Sequence, residues 1–204
     1  MTVSVNNPAD VLNLALARIG YRLRLGSLYD GSEASKLGLT LYAQTRDEVL
    51  REQDWGFAQR TVALTLLKTA PTGGYVPPTV WSTTYPPLPW IYEYAYPSDC
   101  IKIRALKNAP VLIPNFDPRP KVFNIANDSS LSPPEKVILT NVTDAIAVYT
   151  GRVTDPATWE PLFVEALVAS LARRLAPSLA SLDVAKVEAQ DEQGETMMAA
   201  DKQG

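Results

Sequence analysis

Histidine is the usual general acid, general base and metal ligand near neutral pH, and this chain has none. Any catalysis would fall to carboxylates, lysine, tyrosine or the single thiol, Cys100. Asp47, Glu48 and Asp54 cluster in sequence, and paired carboxylates are what a glycosidase-type hydrolase needs. Neighbouring acids on a helix, however, usually form its solvated face. One cysteine can make neither an intramolecular disulfide nor, alone, a structural zinc site. There is no Gly-rich phosphate loop, no Gly-x-Ser-x-Gly elbow and no metal-ligand spacing. The residues therefore predict no catalytic group, no cofactor and no metal, and the expectation is that the chain is not an enzyme.

Binding chemistry is better represented. Trp90, Tyr92, Tyr94 and Tyr96 fall on alternate residues, and a period of two places them on one face of a strand, opposite Ile91, Glu93 and Ala95. Pro97, Ser98 and Asp99 should end that strand, and Ile101 to Arg104 then reads as its partner or continuation. Such a row either packs as a sheet face or stacks a ligand, and aromatic faces bury well against other layers. The Pro-rich stretch 71–89 just before it reads as a long loop that a partner could recognise in polyproline form. Together they make a carbohydrate- or peptide-binding module the alternative function.

The elements that would carry these residues differ along the chain. With 204 residues, 46% of them hydrophobic and 20% charged, the chain can bury a sizeable core. A formal charge of −3 gives no global basic footprint for gripping nucleic acid. No apolar run approaches the roughly 20 residues of a membrane span, and no secretion signal is legible. Asn7, Pro8 and Asp10 predict a helix start, with an end near Gly20. A second helix should begin around Asp30, Ser32 and Glu33 and run to about Gln53, with Lys36, Gln44, Arg46, Asp47, Glu48 and Arg51 on its polar face.

From about Arg60 to Thr150 the pattern is short β runs: 61–67, 91–96, 100–106, 120–125, 136–139 and 145–149. Helical grammar returns at Asp155 and Glu160 and continues to Ala176, where Pro177 should stop it. A last helix from Ser181 or Asp183 toward Met198 is thin in large apolar residues. The expected fold class is α+β, a helical bundle of the N- and C-terminal segments with an inserted small antiparallel β-domain. Its parts are a helical hairpin at 1–58, the β-rich insert at 59–154, a completing helix at 155–182 and a tail at 183–204. Trp55, Phe57, Trp159 and Phe163 are the candidate bundle anchors.

These motifs together resemble the head-to-tail adaptors of short-tailed bacteriophages, the tail tubular protein A family. The carrying residues are Leu14 to Gly20, Arg46-Asp47-Glu48-Val49-Leu50-Arg51, Trp55-Gly56-Phe57-Ala58, Trp90, and Tyr94 to Cys100. They continue with Tyr149, Val153-Thr154-Asp155, Trp159-Glu160-Pro161-Leu162-Phe163 and Leu171-Ala172. The resemblance implies a structural virion protein of the neck or tail, assembled in the host cytoplasm. Copies would form a twelvefold ring under the portal protein, extend the DNA channel and carry the next tail or nozzle protein, with no membrane partner. It also implies a C-terminal segment that docks on the portal, which falls here on Asp183, Val184, Val187, Gln190, Met197 and Met198. A mildly acidic wall suits a channel through which double-stranded DNA passes, because basic residues would hold the phosphates.

Overall fold

A computed structural model shows an α+β protein and describes residues 5–21, 24–73, 81–108 and 121–179. The chain divides into two compact units, Met1–Val49 with Thr154–Gly204, and Leu50–Val153. The expected tail residues Asp183 to Met198 and residues 74–80 of the Pro-rich loop lie outside the described residues.

In the first unit, α1 (Pro8–Arg18) starts as its sequence demands. The Asn7 side chain accepts the Asp10 N–H at 3.0 Å, while the Asp10 carboxylate accepts the Asn7 N–H in return, closing a capping box. At the other end Gly20 takes φ +79, and the N–H groups of Gly20 and Tyr21 return to the carbonyls of Ala17 and Leu16. That is a Schellman stop, which needs a left-handed residue where Gly20 stands. The next helix, α2 (Glu33–Glu52), is capped by Ser32, whose hydroxyl accepts the Ser35 N–H, with Asp30 in turn holding Ser32. Its expected polar face holds except at Arg46, which is buried and forked onto Asp47 through Nε and Nη2. Burying its stem while pairing its charge gives that residue a packing role.

The third helix, α3, covers 161–179, so Pro177 does not end it. Proline forfeits one intrahelical bond, but Leu175 and Leu179 lie one turn apart and are both buried. Their burial offsets that loss. The three helices are linked pairwise. Gly38 of α2 lies against Leu12 of α1, Arg18 of α1 pairs with Glu165 of α3, and Glu48 of α2 accepts from Arg174 of α3.

Among the described residues the second unit contains seven strands: β1 Gln59–Ala63, β2 Leu66–Thr69, β3 Tyr92–Ala95, β4 Cys100–Asn108, β5 Phe123–Asp128, β6 Glu135–Thr140 and β7 Ala145–Gly151. They form two antiparallel sheets, ordered β1-β7-β4 and β2-β3-β6-β5. Two expectations change here. The single run expected over 61–67 is two strands in different sheets. The Leu64 N–H still bonds Ala145 O in the first sheet, while Thr65 O already accepts from Ala95 in the second. Likewise β4 neither pairs with β3 nor continues it, because Pro97–Asp99 turns the chain from one sheet to the other. Tyr94, Ile103, Leu106, Ile138, Ala147 and Tyr149 fill the core between the two sheets.

Candidate functional site

The aromatic row splits. Tyr94 is buried in the sandwich core, with Tyr92 and Tyr96 packed against the same cluster. Its hydroxyl donates to Val142 O at 2.9 Å. Tyr96 lies under the Lys136 ammonium, 4.2 Å from ring centre to Nζ, and accepts from the Cys100 thiol at 3.2 Å. Burial pushes the Cys100 thiol pKa up, and the thiol packs against the same cluster. Trp90 leaves the row. It precedes β3 in a turn whose N–H bonds Pro87 O, and it is half-buried.

Each pair of aromatic anchors makes a ring contact of its own. Trp159 and Phe163 meet edge to face at 5.0 Å in the first unit. Trp55 and Phe57, 6.4 Å apart, belong to the second unit. Arg104 of β4 donates to the Trp55 carbonyl at 2.6 Å and Lys102 pairs with Asp54 at 2.9 Å. These bonds tie the segment to a sheet.

Beneath the other face of β3 lies a cluster that the strand pattern did not reveal. Glu93 points away from the tyrosines, where alternation predicts solvent, yet it is 0% exposed. Across from it on β2 the register slips between Leu66 and Lys68, and such a bulge re-aims side chains. Lys68 thereby turns inward, only 7% exposed, while Leu66 and Leu67 stay out. Its Nζ lies 3.3 Å from Glu93 Oε1 and donates to Asp128 Oδ2 at the end of β5. Asp128 is also 0% exposed.

An Asx-type turn completes the arrangement. Asp128 Oδ1 accepts the Ser130 N–H at 2.8 Å and lies 2.7 Å from its hydroxyl. That hydroxyl lies 3.1 Å from Lys68 Nζ and 3.1 Å from Ser82 O, and the Trp81 ring lies 5.9 Å from the ammonium. The described end of the Pro-rich segment thus covers the cluster. The Glu93 oxygens are buried with no aligned hydrogen-bond partner, the 3.3 Å approach of Lys68 being an ion contact. Burial pushes the Glu93 carboxyl up to about 7, Lys68 opposing and Asp128 adding. Burial works the same way on Asp128, but the hydrogen bonds from Lys68 and Ser130 outweigh it and hold its pKa below the usual carboxylate range. With Glu93 protonated, one ammonium balances one carboxylate, which a low-dielectric site requires.

Each of the acids that cluster in sequence has a basic partner. Asp47 pairs with Arg46, Glu48 with Arg174 and Asp54 with Lys102, and no group of three or more potential metal ligands occurs among the described residues. The first unit also carries a groove of about 670 Å³, lined by Leu14, Arg18, Trp159, Val164 and Val168. Among the described residues no helix is long and apolar enough to cross a membrane. Neither a family model nor a curated protein matches this chain.

Proposed function

We propose that this chain is a head-to-tail adaptor of a short-tailed bacteriophage. It is a non-enzymatic virion protein whose copies ring the portal, extend the DNA channel and present a platform to the next tail component. The observation that carries this reading is the ordered series of motifs from Leu14 to Ala172, which spans nearly the whole chain. The division of the chain supports it. Its N- and C-terminal segments share one unit, and the intervening residues form another built on antiparallel sheets. In this reading the helical body is a bundle that makes the ring and portal contacts through α2, α3 and the segment 183–204, and the inserted β-domain seats the tail protein. The carbohydrate- or peptide-binding alternative loses support, because burial of Tyr94 takes the centre out of its stacking platform.

The test is to mix purified protein with portal particles and count bound copies by native mass. Twelve copies per portal are expected, and absence of binding would overturn the proposal. Deleting 183–204 should abolish attachment while leaving the circular dichroism of the folded chain. Unimpaired attachment by that truncation would remove the tail from the mechanism.

A further inference from the structure

We propose that Lys68 and Asp128 become joined by an intramolecular amide bond that the fold itself forms, with Glu93 as its catalytic residue. The inference is independent of the adaptor reading and rests on three features of the cluster. An amine and a carboxyl group from strands at opposite edges of one sheet are held in contact, both almost wholly removed from water. Fixing reactants in this way is worth effective concentrations of about 10⁵ M or more. Next, the carboxyl group is already polarised. The N–H and hydroxyl of Ser130 converge on Asp128 Oδ1 at 2.8 and 2.7 Å, which is the arrangement that stabilises an oxyanion. Finally, a second carboxyl group, Glu93, lies 3.3 Å from the amine with neither oxygen engaged in a hydrogen bond. A buried acid whose oxygens lack an aligned hydrogen bond costs stability, and proton transfer gives it a role.

The step balances without any co-reactant. A proton first passes from the Lys68 ammonium to Asp128 along their hydrogen bond, giving an amine and a carboxylic acid. The Nζ lone pair attacks Asp128 Cγ, the new C–N bond forms, and the carbonyl pair moves onto Oδ1 between the two Ser130 donors. Glu93, protonated, donates its proton to the Oδ2 hydroxyl and takes one from Nζ in its place. The C–O bond breaks, Oδ2 leaves as water, and the pair on Oδ1 re-forms the carbonyl. Ammonium and carboxylate have become amide and water, and two buried charges are gone, which removes their desolvation cost. Because burial places the Glu93 carboxyl near neutrality, both its accepting and its donating form are accessible at that pH.

Intact mass spectrometry of the purified full-length protein decides the matter. The wild-type chain should be lighter than its sequence by one water, and proteolysis should release a branched peptide joining the Lys68 and Asp128 segments. Lys68→Arg should restore the full mass, and Glu93→Gln should slow bond formation about 100-fold or more. If Glu93→Gln does not fold, Glu93→Asp, which keeps the carboxyl but shortens its reach, should still cross-link, only more slowly. A wild-type chain of full sequence mass, a water loss that persists in Lys68→Arg, or undiminished cross-linking in Glu93→Gln would each overturn the proposal, the last for Glu93's part in it.

Discussion

Tyr94 and Tyr42 are both buried, but only Tyr94 has a hydrogen-bond partner for its hydroxyl, the Val142 carbonyl. Tyr94→Phe should therefore cost about 1 kcal/mol, whereas Tyr42→Phe should be neutral or stabilising. Urea denaturation midpoints of the two variants would show this contrast. Glu93 makes a prediction about pH. Its folded-state value is raised from 4.5 to about 7 by burial, and burial remains whether or not its neighbours are joined. The folded chain then holds a proton that the unfolded chain has released, so stability is fully present below the unfolded value and is lost as pH rises toward 7. Midpoints measured from about pH 4 to pH 8 should fall over that window, and Glu93→Gln should flatten the fall. That the tyrosines share one side of the strand was legible in sequence, because alternation alone assigns it, whereas alternation left open whether that side packs or stacks a ligand. The Lys68, Glu93 and Asp128 cluster was not, since each residue sits on a different strand and looks like part of a solvated face. Glu93 between two tyrosines was the one local hint.

Elements were legible where local chemistry decides them. Asn7 with Asp10 and Gly20 set the ends of α1 through groups within a few residues. The break at Leu64 and Thr65 was not legible, because it depends on which distant strands claim each side. Contacts between elements give two further tests. A Cβ at Gly38 would fall inside the contact distance of the Leu12 side chain, which is itself fully buried. Gly38→Ala should thus destabilise the fold by about 1–3 kcal/mol through overpacking, although alanine is the better helix former by about 1 kcal/mol. Stabilisation in chemical denaturation would show instead that Leu12 can move aside. On β1, the bond from Leu64 N–H to Ala145 O sets the phase of the ladder. By alternation Val62 bonds β7, and the Thr61 N–H points to the open edge of the sheet. Thr61→Pro should be tolerated, and Val62→Pro should cost at least about 1 kcal/mol more, in the same denaturation assay.

At the scale of the whole molecule, the α+β class was legible from the change of periodicity along the chain. The tie of the Trp55 segment to β4 was not, because it rests on the side chains of Arg104 and Lys102, far along the chain. The second unit is continuous in sequence and holds both sheets. A fragment covering 50–153 should therefore melt cooperatively by itself, whereas 1–49 alone should show no cooperative transition, as thermal circular dichroism would report. The hydrogen-bonded pairing of β1 with β7 also bears on the order of events on the ribosome. Once Gly151 has emerged, the insert can close, and its first and last strands lie side by side. A spacer of about a hundred residues has then become a short bridge, so the helices made first need search little space for α3 when it finally appears.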